Sequence, residues 1–120
     1  MSDWRLALLD FGGHPPVGAR ARALGTPELV RSIVDSALAD VAWSGGRGTL
    51  VETDATLDLE IGESDPVLQI EVVARGVEGV YRKVARPLVV HLCRVAGYAA
   101  LDLETNRYLD LDADLDPSLD

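Results

Sequence analysis

The period of the apolar residues changes partway along this chain, and that change limits the folds open to it. From Thr26 onward, apolar residues recur at helical spacing and form one stripe that consists of Val30, Ile33, Val34, Ala37, Leu38 and Val41. From residue 49 onward, aliphatic and polar residues instead alternate in three segments, 49–53, 56–61 and 68–75. Strict alternation is typical of antiparallel strands that bury one face and leave the other in water. The chain therefore predicts a mixture of helix and antiparallel sheet.

Two further segments extend this pattern on either side. Residues 4–11 would carry some apolar side chains on both faces of a strand, which predicts that the first strand lies in the centre of the sheet. Residues 80–96 predict a second amphipathic helix, and Gly97 is a suitable terminator for it. Pro87 either kinks this helix or marks its true start after a short turn.

The last strands complete the predicted architecture. Residues 99–104 and 108–111 predict a closing hairpin, which gives the element order β-α-β-β-β-α-β-β. Two amphipathic helices beside a largely antiparallel sheet predict a two-layer α+β fold with both main helices on one face of the sheet. We expect one domain over residues 1–112, followed by an acidic C-terminal tail at residues 113–120.

Composition excludes several classes of protein. The 120 residues include 20 acidic and 11 basic side chains, for a formal net charge of −9, whereas nucleic-acid binders present a basic surface. No apolar run approaches the roughly 20 residues of a membrane-spanning helix, and the first residues lack the pattern of a signal peptide. Cys93 is the only cysteine, which excludes an internal disulfide and fits a reducing cytosol. We therefore expect a cytoplasmic protein that binds neither nucleic acid nor membrane.

Acidic residues are unevenly distributed along the chain. Residues 50–71 contain seven acidic side chains and no basic one, whereas residues 72–100 contain five basic side chains and one acidic one. If the aliphatic residues face the helices, the open side of the sheet displays the carboxylates of Asp58, Glu60, Glu71, Asp102, Glu104 and Asp110. Arg75 and Arg107 are expected to offset them in part. Such a face is either a solvated surface or a docking surface whose negative potential attracts a basic partner.

Metal-ligating residue types occur in this sequence without the spacing of a metal site. The run Asp110-x-Asp112-x-Asp114 resembles the start of a calcium loop, but the glycine and the glutamate that complete such a loop are missing. Neither His14 nor His91 has a second ligand at the spacing of a metal pair. We expect His14 to be a loop residue and His91 to lie at the border of a helix stripe.

The sequence also predicts no catalytic residue and no cofactor. The thiol of Cys93 lies in an apolar helix, where it is expected to behave as a small hydrophobic group. A strand rather than a helix follows the glycine-rich residues 45–48, which favours a turn over a phosphate site. Asp58 and Glu60 lie on an open face without an expected cleft, so we do not expect catalysis from them. Trp43 is expected to anchor the edge of the core or, alternatively, to be a partner-binding hot spot.

Two segments of the chain resemble one group of small acidic bacterial proteins. The first segment comprises Trp43, Gly48, Leu59-Glu60-Ile61-Gly62, Asp65-Pro66-Val67 and Ile70-x-Val72-x-Ala74-Arg75-Gly76. The second comprises Leu92-Cys93 and Gly97-Tyr98-x-Ala100-x-Asp102-x-x-Thr105-x-x-Tyr108-Leu109-Asp110. Such proteins look like immunity or accessory proteins of bacterial toxin systems. The resemblance implies a cytosolic protein without catalytic activity, and it supplies no catalytic residues.

Two functional hypotheses follow from these patterns. In the first, the chain is a non-catalytic immunity protein that inhibits a cognate toxin by covering a basic site with its acidic sheet face. The residues expected to contact the partner are Asp58, Glu60, Glu71, Asp102, Glu104 and Trp43. In the second, the chain is a structural or regulatory domain that self-associates, for example as a homodimer, through a sheet edge or through Val51 and Val73. A small-molecule-binding module or enzyme is a third alternative, which requires a sizeable pocket between helices and sheet.

Overall fold

The computed structural model describes residues 3–11 and 20–109, which form two helices and one seven-stranded sheet. The helices are α1 (Pro27–Ala37) and α2 (Tyr81–Ala96). The strands are β1 (Trp4–Leu9), β2 (Ala42–Ser44), β3 (Arg47–Val51), β4 (Ala55–Glu60), β5 (Ile70–Gly76), β6 (Ala99–Asp102) and β7 (Arg107–Tyr108). They lie in the order β2-β3-β4-β5-β1-β6-β7, and every neighbouring pair is antiparallel. Both helices lie on one face, so the predicted α+β architecture is confirmed.

Helix α1 begins where the sequence supplies a cap and a proline. Thr26 Oγ1 accepts a hydrogen bond from the backbone N–H three residues on, at 3.2 Å, and Pro27 occupies the first turn. Val34 from the predicted stripe is fully buried. The helix ends at Ala37, although the stripe of apolar residues continues to Val41. Val41 still packs against the core, but it does so from the connection that follows the helix.

A short strand that we did not predict from the sequence follows this connection. In β2, Trp43 lies opposite Gly48 of β3, and Gly45 and Gly46 form the turn between the two strands. A Cβ atom on Gly48 would lie 2.8 Å from Val41 Cγ1 and 3.0 Å from Trp43 Cζ3. Gly48 is therefore the residue that leaves room for the indole ring. The predicted glycine-rich turn is confirmed at Gly45 and Gly46, where it is the turn of a hairpin, whereas Arg47 and Gly48 belong to β3.

Helix α2 contains its proline rather than starting at it. The helix begins at Tyr81, so Pro87 lies inside it. Gly97 ends the helix with a φ of 76°, and its N–H donates to the carbonyl oxygen of Cys93 at 2.8 Å. Among the described residues, neither α2 nor α1 is long and apolar enough to cross a membrane.

The first strand of the chain lies near the centre of the sheet. Leu6 of β1 is the register partner of Val72 in β5 and of Asp102 in β6. Trp4, Leu6 and Leu8 are fully buried on the side that faces the helices. The core therefore lies between the helices and one side of the sheet, and it consists mainly of aliphatic residues on alternate positions of β1, β4 and β5.

Tyr98 is a polar group buried in this core. Its hydroxyl has no hydrogen-bond partner among the described residues. Burial and, secondarily, the negative charge of Asp10 raise the pKa of Tyr98 from 10.0 to about 12. The folded protein therefore favours the neutral phenol more strongly than the unfolded chain does.

We expect Tyr98→Phe to leave the free energy of unfolding unchanged at neutral pH or to raise it by up to about 1 kcal/mol, because an unpaired buried hydroxyl is costly. Above pH 10 the unfolded chain releases the phenolic proton first, so wild-type stability falls as the pH rises through about 12. The phenylalanine variant should lose less stability over that range. Urea unfolding at neutral and alkaline pH measures both effects. A loss of more than about 1 kcal/mol at neutral pH would show that the hydroxyl has a partner in solution.

Candidate functional site

The open face is the side of the sheet that points away from α1 and α2. Three of the predicted carboxylates lie near the middle of this face. Asp58 and Glu60 lie on β4, and Glu71 lies on β5. Glu60 and Glu71 are direct register partners, and Asp58 is the partner of Val73. All three alternate along their strands with buried residues of the core. The predicted position of these three carboxylates on the open face is confirmed.

The two carboxylates of β4 have basic neighbours on the strands beside them. Arg47 of β3 donates from Nε to Glu60 Oε2 at 2.9 Å, and this hydrogen bond raises the pKa of Arg47. Nη2 of Arg75 in β5 lies 2.9 Å from Asp58 Oδ2. Thr49 Oγ1 also donates to Asp58 Oδ1 at 3.0 Å. Cross-strand neighbours of opposite charge stabilise a sheet modestly.

Glu71 completes the set, because Arg5 of β1 lies 3.3 Å from it, measured from Nη1 to Oε1. Three arginines thus accompany the three carboxylates, and the prediction of a mainly acidic open face, offset in part by Arg75 and Arg107, is wrong. Arg75 was the only one of these arginines expected there. Arg5 lies on the open face because its neighbour Trp4 faces the core, and Arg47 lies in β3 rather than in the predicted turn.

These ion pairs act mainly on the surface potential. The arginine side chains are more than half exposed, and surface pairs of this kind contribute about 0–1 kcal/mol each to stability. Their effect on the surface potential is larger, because the paired charges cancel one another. Three arginines and three carboxylates are interspersed on β1, β3, β4 and β5, with Glu60 and Glu71 side by side, so the open face has a pattern of charge and little net charge.

Asp102 lies on the opposite side of the sheet from its predicted place. It is 8% exposed, and its register partner in β1 is Leu6, which faces the core. Trp4 donates from Nε1 to Asp102 Oδ2 at 3.0 Å, and the backbone N–H of Glu104 donates to Asp102 Oδ1 at 2.9 Å. The alternation of β6 is therefore the reverse of the predicted one, because a buried indole N–H needs an acceptor inside the core.

Glu104 is also absent from the open face. Arg82 of α2 donates from Nη2 to Glu104 Oε2 at 2.7 Å, so this carboxylate reaches towards the helix layer. Hydrogen bonds with the Tyr81 hydroxyl and, to a lesser extent, with Glu104 raise the pKa of Arg82. Arg107 is the register partner of Asp102 and likewise does not lie among the open-face charges. The predicted open-face positions of Glu104 and Arg107 are wrong.

Trp43 serves as an anchor at the edge of the core. Its ring is partly buried and packs against the core, and its Nε1 donates to Asp35 Oδ1 of α1 at 2.8 Å. The core-edge interpretation is therefore confirmed. Trp43 lies on the helix side of the sheet and does not share a surface with Glu60 and Glu71, so the structure does not join it to them in one binding site.

The remaining candidate residues form no chemical site in the part of the chain that the structure describes. Within residues 3–11 and 20–109, no group of three or more histidine, cysteine or acidic side chains could hold a metal ion. His91 is exposed on α2. His14, the calcium-like run that begins at Asp110, and the predicted tail lie outside the described residues.

Cys93 is fully buried, and burial raises its pKa from 9.0 to about 12. We expect the native thiol to react with a disulfide reagent only when the protein opens, because the reagent cannot reach a fully buried sulfur and the raised pKa keeps the thiol protonated at pH 8. Absorbance of the released thiol should show a slow reaction in buffer and a fast one in concentrated urea. Rapid reaction of the folded protein would contradict this expectation.

In comparisons with known proteins, no family model, curated protein or solved structure matches this chain. The resemblance of its central and C-terminal segments to toxin-immunity proteins therefore stays a prediction.

Proposed function

We propose that the chain is a non-catalytic protein-binding domain of the toxin-immunity type, and that it binds a cognate protein through the open face. The observation that supports this most directly is the set of three arginine–carboxylate pairs in the middle of a sheet face that neither helix covers. A β-sheet holds such groups at fixed spacings, since neighbouring strands lie about 4.8 Å apart.

The order of these charges defines the partner. Along one line across the sheet, Arg47, Glu60 and Glu71 follow one another on β3, β4 and β5, and Arg5 flanks them on β1. The complementary protein surface carries basic groups over the two glutamates and acidic groups over the two arginines. Matched charges of both signs mainly determine which partner binds, because a partner with the wrong order meets like charges.

Apolar side chains flank this charged centre and add contact area. Val51 at the end of β3 is 70% exposed, and Val73 is partly exposed between Asp58 and Arg5. On the other side, Tyr108 is exposed beside Leu101. Burial of such groups supplies affinity, whereas the charges supply specificity.

This mode of binding differs from the occlusion of a basic site by an acidic surface. Because the open-face charges cancel, the open face itself contributes little to the long-range attraction of a basic partner. We expect the rate of association to depend weakly on salt, unlike the steep dependence of an electrostatically steered pair.

A charge swap tests the proposal while the fold is preserved. The test partner is the protein encoded by the neighbouring reading frame, assayed for growth arrest with and without this chain. The double variant Arg47→Glu, Glu60→Arg keeps an ion pair and the net charge but reverses the order of charges. We expect wild type to restore growth and to bind, and the swap to weaken binding by roughly a hundredfold.

Two controls make the outcome decisive. The single variant Leu68→Asp changes a residue that is 64% exposed outside the strands, and it should bind as wild type does. Urea unfolding should show that the swap is as stable as wild type within about 0.5 kcal/mol. A folded swap variant that binds and protects as well as wild type would contradict the proposal, as would the absence of any complex.

Self-association is a second candidate, favoured by the exposure of Val51. A second copy that covers Val51 and Val73 would remove this apolar surface from water. Sedimentation at micromolar concentrations should then show a dimer that Val51→Asp dissociates and that the control Leu68→Asp leaves intact. A monomer at all concentrations excludes this candidate and leaves the first.

A further inference from the structure

The charges of the open face form a negative centre with positive groups around it. Asp58, Glu60 and Glu71 lie together on the two neighbouring strands β4 and β5, and Glu60 and Glu71 are direct register partners. Neighbouring strands lie about 4.8 Å apart and alternate residues of one strand about 7 Å apart, so the three backbone positions lie within about 9 Å of one another. We call these three residues the acidic centre.

The arginines lie on three different sides of the acidic centre. On one side, Arg47 of β3 is the register partner of Glu60. On the other side, Arg5 of β1 is the register partner of Val73. Arg75 lies two residues beyond Val73 on β5, towards the end of that strand. The six charged side chains are between 21% and 65% exposed, so a docked protein can reach all of them.

This pattern of charge is not complementary to itself. Two copies of one chain most often associate about a two-fold axis, so that the same patch of each copy meets the other. When two open faces meet at their centres, the acidic centre of one copy lies over that of the other, and the arginines lie over the outer zone, away from the carboxylates. This holds for every direction of the axis in the plane of the interface. Like charges that are brought together in this way oppose association.

The apolar side chain of Val73 lies inside this charged region. Its register partners are Asp58 on β4 and Arg5 on β1. A second copy that covers Val73 therefore brings its own charges onto the same region. The charge pattern thus opposes self-association through the open face, which is the second candidate function.

We infer that the open face is selective against a second copy of this chain and fits a different protein, with basic side chains at the middle of its surface and acidic side chains around them. The inference rests on the proposed function and adds that the partner is not the chain itself. Complementary charges attract that partner, whereas copies of the chain repel each other at the same face. The open face therefore stays free for its partner as the concentration of the chain rises.

A charge-inverted variant of this chain serves as a protein with the complementary pattern. Four substitutions keep the net charge and the ion pairs within the chain but invert their signs, namely Arg5→Glu, Arg47→Glu, Glu60→Arg and Glu71→Arg. We expect sedimentation to show monomers for wild type alone and for this variant alone. Their equimolar mixture should associate at least about tenfold more tightly than either chain alone at about 0.02 M salt, and it should lose this difference at about 0.5 M salt, where exposed charges are screened.

A matched control variant carries the same number of charge inversions outside the strands. Its substitutions are Arg20→Glu, Lys83→Glu, Glu63→Arg and Glu78→Arg, all at exposed positions. A mixture of this control with wild type should contain only monomers. Circular dichroism checks that both variants fold. If the charge-inverted variant does not fold, the double swap Arg47→Glu, Glu60→Arg takes its place in the mixture, where we expect a smaller difference of the same sign.

Two results would overturn the inference. One is a wild-type dimer that Val51→Asp dissociates, and the other is a mixture of wild type and the charge-inverted variant that stays as monomeric as the control mixture. Binding of the protein from the neighbouring reading frame separates this failure from that of the proposed function. If the double swap still weakens that binding, the proposed function stands without the inference. If the double swap binds that protein as wild type does, the proposed function fails even when the mixture associates.

Discussion

Replacing Trp4 with alanine is expected to lower the free energy of unfolding by about 4 kcal/mol, a loss typical of the truncation of a large aromatic side chain inside a core. The Trp4 side chain is fully buried at the start of a strand that lies between β5 and β6. Truncation would leave a large cavity between the sheet and α2. It would also leave the carboxylate of Asp102 without the indole N–H that donates to it.

Two guanidinium groups of α2 add to the loss. The guanidinium carbon of Arg86 lies 5.2 Å from the centre of the Trp4 ring, and that of Arg82 lies 5.6 Å from it. Cation–π contacts at such distances contribute about 0.5–2 kcal/mol, with the larger values where water is excluded. Trp4 therefore joins the sheet to α2 through its ring and joins β1 to β6 through its N–H.

The indole N–H of Trp4 can be tested separately by Trp4→Phe, with Trp43→Phe as a matched control. Both tryptophans donate to a carboxylate, but Asp102 is 8% exposed whereas Asp35 is open to water. We expect Trp4→Phe to cost about 2 kcal/mol and Trp43→Phe less than about 1 kcal/mol, because water can replace the donor only at Asp35. Urea unfolding followed by far-ultraviolet circular dichroism measures both. Equal losses would contradict the argument.

The same contact explains why the sequence misled us at β6. Within residues 99–104, Leu101 and Leu103 alternate with Asp102 and Glu104 as the residues of a strand should. Hydrophobicity therefore places Leu101 inward and Asp102 outward. The opposite holds, because Trp4 faces the core and its N–H requires an acceptor there. Alternation reveals that a segment is a strand, but the side that it buries depends on its neighbours.

Strand order limited the prediction of the open face in a similar way. The pattern in β4 and β5 correctly places Asp58, Glu60 and Glu71 together, because each has apolar neighbours on both sides in sequence. Two of their three arginine partners, Arg47 and Arg5, come from β3 and β1, and β1 pairs with β5 across more than 60 residues of sequence. A single sequence does not reveal that pairing, so the prediction from the sequence overstated the acidity of the open face.

The missing strand β2 did have a signal in the sequence. Gly45-Gly46 between short extended segments is typical of a two-residue hairpin turn. Trp43 and Gly48 lie at equal distances from that turn, which makes them cross-strand partners. Three strand residues after a helix are too few to show alternation, so the spacing about the turn was the only indication.

Gly76, at the end of β5, is the position where a single methyl group has a large expected effect. Its φ is 152°, a conformation that residues with a side chain rarely adopt. A Cβ atom there would overlap the carbonyl oxygen of Asp54 and would lie 2.8 Å from Ala55 Cα and 2.9 Å from Tyr81 Cβ. The first two of these contacts are with backbone, which cannot move aside as a flexible side chain can.

Gly76→Ala is therefore expected to lower the free energy of unfolding by about 3 kcal/mol, from backbone strain and overpacking together. Gly79→Ala, in the connection just before α2, is the matched control. Gly79 also has a positive φ, of 81°, but no atom lies within 4 Å of an added Cβ. Gly79→Ala should lower the free energy of unfolding by about 1 kcal/mol, which is the contribution of backbone strain alone. Urea unfolding of both variants separates the two contributions. If the two losses are equal, the close approach of the β3–β4 turn to Gly76 does not constrain the fold.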